Sequence, residues 1–309
     1  MKNMKNLIKQ KKLSTASPWY VTGLIDGEGS WLLSISKNSK CSLGYKINLG
    51  LEIGLHRKDL DLLKGLQAYF KVGGIYKNSD NMMHYKVSSI KDLTRVIIPH
   101  FDKYPLVTQK RADFEILKHA IDIINKGPLT PEDFQKIVNL KASLNRGLSD
   151  ELKEFFPDTI PVRRPSVEFL GIPDSNWLSG FVEGEGCFFI NTYKSPRSKL
   201  GMAVQLVFAI TQHIRDKELL EGLKGYLDCG KYSVRKGNEA GDYKVISIAD
   251  INEKIIPFFL KYPLQGSKSL NFADFCLAAN IMKVKGHLTL EGLEEIQKIK
   301  MGMNTRRST

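Results

Sequence analysis

The sequence has few cysteines and no long apolar segment. Its four cysteines, in 309 residues, lie far apart and form no CxxC pair. This spacing argues against a zinc knuckle and against a disulfide framework, and it fits a reducing compartment. No uninterrupted apolar run approaches the roughly 18 residues that a membrane-spanning helix needs. The composition therefore predicts a soluble globular protein with no membrane span.

Acidic residues are scarce relative to basic ones. The chain has 33 Asp and Glu against 46 Lys and Arg, which gives a formal charge of +13. Such a charge favours a polyanionic partner, nucleic acid first and an anionic membrane surface second. Residues 1–17 contain five lysines and no acid, and they lack both the apolar centre of a secretory signal and the arginines of a typical transit peptide. We expect a disordered basic N-terminal arm there.

The chain contains two copies of one unit. VTGLIDGEGS at 21–30 matches LSGFVEGEGC at 178–187, and Glu28 and Glu185 of these segments lie 157 positions apart. Three further pairs of segments match in the same order at nearly the same offset. These pairs are 55–70 with 212–227, 97–106 with 255–264, and 127–145 with 286–304. Four matches in one order indicate an internal duplication.

A proline-containing segment separates the two copies. Residues 148–174 hold four prolines and no clean periodicity, although ELKEFF within them is compatible with a short helix. Two domains of about 150 residues suit a chain of this length. The predicted organisation is a basic arm (1–17), a first repeat (18–147), a linker (148–174) and a second repeat (175–309).

The sequence pattern of each repeat predicts an α+β unit. The two glycine motifs have the pattern of helices, and YKINLGLEI (45–53) alternates apolar and polar residues as a half-buried strand does. MAVQLVFAI (202–210) repeats that phase, with Gln205 in the position of Asn48. Further strands and helices give the order α-β-β-α-β-β-α in each half.

Both motif helices carry paired glycines and end in an acid. Gly23 and Gly27 lie four positions apart, as do Gly180 and Gly184, so each helix has a strip where another backbone can approach closely. Such a strip is also typical of a seam used only for packing. Glu28 and Glu185 fall at the helix ends, where a carboxylate faces the negative end of the helix dipole. This placement predicts a positive group nearby.

The glycines that follow these acids, Gly29 and Gly186, suit a left-handed helix cap. If the two strips pack together, Glu28 and Glu185 lie side by side, and one carboxyl group takes up a proton unless a divalent cation neutralises the pair. Oxygen ligands with open positions suit Mg²⁺, which is commonly held by one or two carboxylates and substrate phosphates. A metal on a basic surface suggests phosphodiester chemistry.

GLIDGEG and GFVEGEG resemble the duplicated signature of the LAGLIDADG homing endonucleases in their monomeric, two-repeat form. The resemblance runs from about residue 17 to 305. It is greatest to the fungal mitochondrial intron-encoded group, whose repeats also carry a YPL segment followed by a lysine. Here the usual final aspartate of each motif is glutamate in both copies. Because glutamate is also common in that group, we expect activity to be retained.

The resemblance implies a fold, a reaction and a location. Two pseudo-symmetric α-β-β-α-β-β-α repeats form a saddle of antiparallel sheets over double-stranded DNA. Glu28 and Glu185 are the catalytic acids that coordinate the metal, and the carbonyl groups of Gly27 and Gly184 are further metal ligands. The implied cofactor is Mg²⁺, with Mn²⁺ as a substitute and Ca²⁺ binding without cleavage. The enzyme acts as a monomer in the mitochondrion, and it cuts each strand once to leave four-base 3′ overhangs.

Two lysines recur beside the motifs. Lys110 in YPLVTQK and Lys268 in YPLQGSK match the family's basic residues near the metals, which implies a catalytic role. An ordinary solvated helix lysine is the alternative for each. Asp26 and Glu183 also recur, and we interpret them as structural partners rather than ligands.

Polar residues on the predicted strands and their loops are expected to contact DNA, since a two-stranded ribbon fits the major groove. Solvent-facing or phosphate-contacting positions are the alternative for each one. The site is expected to be long, about 20 base pairs, and asymmetric because the halves differ at most of these positions. The DNA-binding candidates are Ser36, Lys37, Asn38, Lys40, Lys46, Asn48, Glu52, Lys77, Asn78, Lys86, Asn191, Tyr193, Lys194, Arg197, Lys199, Gln205, Arg235, Lys236 and Lys244.

Two other functions are compatible with the sequence. An intron RNA maturase would use the same fold to bind RNA, and a catalytically silent DNA-binding protein would keep the surface without the reaction. Intact Glu28 and Glu185 favour cleavage over both. GIY at 74–76 has no matching second tripeptide, the six histidines form no HNH pattern, and PD at 157–158 lacks a following ExK.

Overall fold

The computed structural model describes residues 17–304. The predicted basic arm therefore lies outside the described residues except for Ser17, and so do the last five residues of the predicted second repeat.

The first half alternates helices with two antiparallel hairpins, and a short helix of the connecting segment follows it. In chain order the elements are α1 (Pro18–Glu28), β1 (Gly29–Lys37), β2 (Tyr45–His56), a 3-10 turn (Arg57–Asp59), α2 (Leu60–Phe70), β3 (Gly74–Lys77), β4 (Met82–Val87), α3 (Ile90–Asp92, a π turn at Leu93–Ile97, and Ile98–Lys103), α4 (Lys110–Ile124), α5 (Pro131–Ala142) and α6 (Asp150–Phe155).

The second half repeats this order. Its elements are α7 (Ser175–Glu185), β5 (Gly186–Lys194), β6 (Met202–His213), a 3-10 turn (Ile214–Asp216), α8 (Lys217–Leu227), β7 (Lys231–Val234), β8 (Ala240–Val245), α9 (Ile248–Asp250, a π turn at Ile251–Ile255, and Ile256–Lys261), α10 (Lys268–Lys283), a 3-10 turn (Gly286–Leu288) and α11 (Leu290–Met301). The predicted α-β-β-α-β-β-α order is confirmed in both halves.

Each half contains one four-stranded antiparallel sheet. The strand orders are β1-β2-β4-β3 and β5-β6-β8-β7. Gly29 pairs with Ile53 in the first sheet, and Gly186 pairs with Ile210 in the second, so the same register recurs 157 positions later. The duplication therefore extends to the pairing of individual residues, and the α+β class is confirmed.

One face of each sheet is buried by its own helices. Leu49, Leu51 and Ile53 of β2 are almost fully buried, whereas Lys46 and Asn48 on the alternate positions are exposed. The second core is rich in phenylalanine: the ring of Phe188 lies 5.0 Å from that of Phe208. The period-two pattern predicted this burial because successive side chains of a strand point to opposite faces.

The segment between the halves contains little regular structure. Helix α6 (Asp150–Phe155) confirms the short helix expected from ELKEFF, and its N-cap Ser149 accepts a hydrogen bond from the Leu152 amide. Residues 156–174 form neither helix nor strand. The boundaries 18–147, 148–174 and 175–309 stay a prediction. Within residues 17–304, no helix combines the length and the apolar character that crossing a membrane requires.

Candidate active site

Helices α1 and α7 pack backbone against backbone. A Cβ atom added to Gly23 would lie 2.0 Å from the carbonyl oxygen of Trp177, and one added to Gly180 would lie 2.0 Å from that of Tyr20. Only residues without a side chain permit this approach. The predicted packing of the two glycine strips is confirmed.

This packing brings the two terminal acids to the same end of the helix pair. A Cβ atom on Gly184 would lie 3.0 Å from Cγ of Glu28, and one on Gly27 would lie 3.5 Å from Cγ of Glu185. Each acidic side chain thus packs beside the glycine of the other helix. Both acids are partly exposed, so the carboxylates are available to a ligand.

The glycines after the acids do not cap the helices as predicted. Gly29 has φ −73° and ψ 151°, and Gly186 has φ −79° and ψ 152°, so both are extended rather than left-handed. The reason is that β1 and β5 begin at these residues without an intervening turn. Glycine is needed for space, because a Cβ atom on Gly29 would lie 2.6 Å from the carbonyl oxygen of Ile25.

The positive groups expected near the acids are the two predicted lysines. Nζ of Lys110, the first residue of α4, donates a hydrogen bond to the Gly27 carbonyl oxygen. Nζ of Lys268, the first residue of α10, donates to the carbonyl oxygens of Gly184 at 2.7 Å and Val182 at 3.0 Å. Each ammonium group therefore lies at the negative end of a motif helix, where a cation is stabilised.

Burial and the neighbouring charges alter proton affinities in this cluster. Burial lowers the pKa of Lys110 and of Lys268, and nearby carboxylates, Glu28 and Glu185 among them, oppose that lowering. Burial also raises the pKa of Glu185, and the negative charge of Glu28 adds to the increase. A hydrogen bond from Gln212 and the charges of Lys110 and Lys268 act in the opposite direction. Repulsion between the two close carboxylates therefore contributes to the raised pKa of Glu185, but burial is the larger cause.

The other two acids of the motifs have structural roles, as predicted. Buried Asp26 accepts hydrogen bonds from the amides of Val107 and Thr108, from the Thr108 hydroxyl, and from Nε1 of Trp177 on the other motif helix.

Glu183 repeats this arrangement. It accepts bonds from the amides of Gln265 and Gly266 and from the hydroxyl of Tyr20, which lies on α1. Because three or more donors satisfy each carboxylate, neither acid is free to act as a metal ligand.

The donor set at the helix ends fits a hard divalent cation. Glu28 and Glu185 supply carboxylate oxygens, and the carbonyl oxygens of Gly27 and Gly184 lie beside them. A carbonyl oxygen has two lone pairs, so a lysine hydrogen bond leaves one for a further partner. No group of three or more His, Cys, Asp or Glu side chains suited to a metal occurs between residues 17 and 304. A cation here would need oxygen ligands from a substrate as well, as Mg²⁺ sites commonly do.

Most of the predicted DNA-contact residues lie on the polar face of a sheet or in the loops beside it. Ser34 pairs with Asn48 in the first sheet, and Asn191 pairs with Gln205 in the second. By strand register, the candidates on these faces are Ser36, Lys46, Asn48, Glu52, Lys86, Asn191, Tyr193, Gln205 and Lys244. The candidates in connecting loops are Asn38, Lys40, Asn78, Arg197, Lys199, Arg235 and Lys236.

Three lysines at strand ends lie on the core side of their sheets, opposite the polar face. Lys37 is in register with Tyr45, Lys77 with Met83 and Lys194 with Met202, all on the core side of the pleat. Nζ of Lys37 lies 3.0 Å from the Glu151 carboxylate and 3.8 Å from the centre of the Phe155 ring, both on α6. The prediction that these three lysines lie on the polar face with the other strand candidates is wrong. Period two places each of them with the core-facing residues of its strand.

Acidic residues orient several of these basic residues, and one of these acids, Asp242, was not among the sequence candidates. Asp242 accepts hydrogen bonds from Nε of Arg235 at 2.9 Å and from Nζ of Lys244 at 2.8 Å. Burial acts to raise the pKa of Asp242, but Arg235, Lys244 and Thr211 outweigh it, so the pKa is well below its usual value. In the first sheet, Nζ of Lys86 lies 3.6 Å from the Glu52 carboxylate. Each polar face therefore carries a local charge network.

Comparison with known proteins identifies the family. A family model described as LAGLIDADG endonuclease matches residues 21–121 and again residues 178–279, which together make up more than half of the chain. The chain belongs to the LAGLIDADG endonuclease family. The two matches begin within the two glycine motifs, so each half of the structure is one LAGLIDADG unit.

A curated relative aligns with nearly all of the chain. The protein named Probable intron-encoded endonuclease 3 of Neurospora crassa is 40% identical over 298 residues, an alignment that covers 93% of this chain and 55% of the relative. The chain thus spans about half of that relative's length.

Solved structures match the fold closely. The I-SmaMI LAGLIDADG homing endonuclease bound to cleaved DNA has a TM-score of 0.93 and 42% identity, covering 95% of this chain and 99% of that one. I-SmaMI bound to an uncleaved DNA target with calcium ions has a TM-score of 0.92 and 42% identity, covering 94% and 99%.

The site of this LAGLIDADG chain includes two further acids that sequence reasoning missed. Asp59 and Asp216, each at the end of a 3-10 turn, contact the residues that precede the two lysines. A signal for them exists, because HRKD (56–59) and HIRD (213–216) fall within a matched pair of segments. Their partners belong to the opposite half of the chain, and a repeat comparison does not reveal that.

Proposed function

We propose that this chain is a site-specific double-strand DNA endonuclease that hydrolyses one phosphodiester bond on each strand of a long asymmetric site. The observation that carries this proposal is the convergence of Glu28 and Glu185 at the end of the glycine seam, each with a lysine beside it. Two equivalent acid and lysine sets suit two strands. We further propose that the products carry four-base 3′ overhangs.

The acids and the neighbouring carbonyl groups would hold the metal. Glu28 and Glu185, with the carbonyl oxygens of Gly27 and Gly184, form a donor set suited to Mg²⁺, and we expect Mn²⁺ to substitute and Ca²⁺ to bind without supporting cleavage. When bound, the metal would activate a water molecule and would neutralise charge on the leaving 3′ oxygen.

The chain's own residues supply position and charge. The hydrogen bonds of Lys110 and Lys268 to the ends of α1 and α7 fix both ammonium groups beside the carboxylates. A fixed cation stabilises the charge that develops on a phosphoryl group without reorganisation during the reaction. We assign this role to both lysines.

The polar faces of the two sheets would bind the DNA. Their exposed basic residues suit the phosphates, and their amides and fixed cations suit base edges in the major groove. Because Asn48 of one half is replaced by Gln205 in the other, the two half-sites are expected to differ in sequence.

The remaining parts of the proposal concern context. One chain carries both acid and lysine sets, so we expect a monomer to be sufficient. The intron-encoded relative supports an origin in a fungal intron, and we place the protein in the mitochondrion by resemblance. The I-SmaMI structures support DNA as the ligand, and no contact among the described residues favours intron RNA.

A selection on a randomised duplex library in Mg²⁺, with sequencing of the cut ends, tests the proposal. The parent protein is expected to cut one long site with staggered ends. Glu28→Gln and Glu185→Gln keep the side-chain shape but remove a negative charge, and we expect each to slow cleavage by at least about 100-fold. Binding in Ca²⁺ should persist.

Glu221→Gln, an exposed position on α8, is the matched control and should cut like the parent. A parent protein that binds duplex DNA without cutting would overturn the catalytic assignment and favour the silent DNA-binding alternative. Binding of intron RNA in preference to any duplex would favour the maturase.

A further inference from the structure

The two lysine-bearing helices are not capped by the side chains at their N-cap positions. Lys110 and Lys268 are the first residues of α4 and α10, and the residues at the N-cap positions are Gln109 and Ser267. Neither N-cap side chain accepts a hydrogen bond from its helix. The first amides of a helix need acceptors from outside its own ladder, and a carboxylate is favourable there because of the helix dipole. The Lys110 amide donates to the Thr108 hydroxyl at 3.2 Å, whereas the amides of Gln109 and Ser267 donate to carboxylates.

The acceptor for α4 comes from the second half. Asp216, which ends the 3-10 turn after β6, accepts a hydrogen bond from the Gln109 amide at 2.8 Å. The Asp216 side chain is only 3% exposed. A buried carboxylate with a defined partner has little freedom to move, so the residue before Lys110 is fixed by a group 107 positions away in the chain.

The acceptor for α10 comes from the first half. Asp59, which ends the 3-10 turn after β2, accepts from the Ser267 amide at 2.6 Å and from the Ser267 hydroxyl at 2.8 Å. The same two positions of the repeat therefore contact each other in both directions, and each time the acid and the lysine belong to different halves.

The motif acids Asp26 and Glu183 accept hydrogen bonds from the residues just before Gln109 and Ser267, and each of these bonds lies within one half of the chain. Asp26 holds the amides of Val107 and Thr108, and Glu183 holds those of Gln265 and Gly266. Each segment leading to a lysine is thus fixed by one acid from each half. A motif acid alone would leave the last residue before the lysine without this support.

We propose that Asp59 and Asp216 are positioning residues that couple the two cleavage sites, because each half orients the active-site lysine of the other. This inference rests on the proposed catalytic role of Lys110 and Lys268. Neither aspartate touches the substrate in this scheme. Loss of Asp216 disturbs the site that contains Lys110, and loss of Asp59 disturbs the site that contains Lys268.

The two couplings differ in strength. The Gln109 carbonyl oxygen also accepts from Nη2 of Arg164 at 3.1 Å, and the Gln109 side chain donates to the Val167 carbonyl oxygen at 3.2 Å. Both partners lie in the segment between the halves. Asp59 accepts from both the amide and the hydroxyl of Ser267, so we expect Asp59→Ala to have the larger effect.

Strand-resolved cleavage measures this coupling. A duplex target labelled differently on its two strands is cut in Mg²⁺ by the parent, by Lys110→Met and Lys268→Met, and by Asp216→Ala and Asp59→Ala. The lysine variants define which strand depends on which lysine. Asp216→Ala should slow the strand that depends on Lys110, and Asp59→Ala the other, each by about tenfold to 100-fold.

Conservative variants and controls separate positioning from folding. Asp216→Asn and Asp59→Asn keep one acceptor oxygen and should recover most of the rate on the affected strand. Asp61→Ala and Glu218→Ala, exposed and at matching positions of the two repeats, should cut both strands like the parent. Thermal unfolding of every variant gives the folded fraction at the assay temperature.

The outcomes distinguish the two proposals. Lysine variants that cut both strands like the parent would defeat the catalytic assignment of the lysines and the coupling with it. Strand-biased lysine variants beside aspartate variants that slow both strands equally, or neither, would leave the proposed function standing and overturn the coupling. The coupling would also be overturned if each aspartate variant slowed the strand that depends on the lysine of its own half.

Discussion

At the scale of single residues, one buried histidine distinguishes the halves. His100 occupies the repeat position of Phe258. Its Nε2 lies 3.1 Å from the Thr22 hydroxyl, which itself donates to the Tyr104 carbonyl oxygen, so the ring nitrogen is the donor in that contact. Nδ1 then accepts from Tyr69 at 3.3 Å. Burial lowers the pKa of His100 to about 4, which agrees with a neutral ring.

This histidine predicts a loss of stability in acid. The unfolded chain takes up the proton near pH 6.5 and the folded chain only near pH 4, so the unfolded state binds more protons between these values. The free energy of unfolding should fall by about 3 kcal/mol across that window and show no further loss from this group below it. Urea unfolding of the parent and of His100→Phe at pH 7 and pH 5 measures the effect.

His100→Phe should lose about 1 kcal/mol at pH 7, since its hydrogen bonds disappear, and it should lack the parent's decline toward pH 5. His119→Gln, an exposed position on α4, controls for histidine content and should decline like the parent. Equal declines in the parent and His100→Phe would show that other groups cause the acid sensitivity.

At the scale of elements, the contact between α1 and α7 has no space for added side chains at its glycines. Its closeness depends on Gly23 and Gly180, each of which faces a backbone carbonyl of the other helix. A backbone atom cannot rotate out of the way as a side chain can. The helices must therefore separate if either glycine gains a side chain, and the acids at their ends separate with them.

Gly180→Ala should lower the free energy of unfolding by at least about 3 kcal/mol, because the added Cβ would lie 2.0 Å from the Tyr20 carbonyl oxygen. Cleavage should fall further than the folded fraction explains. The matched control is Gly225→Ala in α8, where nothing lies within 4 Å of an added Cβ.

Gly225→Ala should raise stability by about 0.5 to 1 kcal/mol, since alanine is the better helix residue. Thermal unfolding and a cleavage assay compare the two variants. A Gly180→Ala protein as stable and active as Gly225→Ala would contradict the close packing of the seam.

At the scale of the whole molecule, the formal charge is +13, and we expect it to act on DNA through the basic residues of the polar faces and loops. The two kinds of predicted contact should respond differently to salt, because phosphate contacts release counterions and base contacts do not. Lys199 in a loop is a phosphate candidate, and Gln205 within the second sheet is a base candidate.

Lys199→Ala should weaken binding to all duplexes alike and reduce the slope of log affinity against log salt by about 0.9. Gln205→Ala should keep the slope and change the preferred bases of one half-site. Binding titrations in Ca²⁺ at several salt concentrations, on matched and mismatched duplexes, measure both. Lys224→Ala, on the solvent side of α8, is the charge control, and a slope change there equal to that of Lys199→Ala would contradict a localised interface.

The sequence alone determined the repeated order of helices and strands, the glycine seam with its two acids, and the recurring lysines. These features depend on local periods, because a strand alternates every two residues and a helix places glycines four apart on one side. Repetition of these features in the same order at nearly the same offset made the interpretation firm.

Only the tertiary structure decided the conformation of Gly29 and Gly186 and the pairing of Asp59 and Asp216 with the opposite half. A carboxylate's partner more than 100 positions away follows from how two cores pack against each other. Residue type and spacing do not specify that packing, since the bonds form only after both halves are folded and joined.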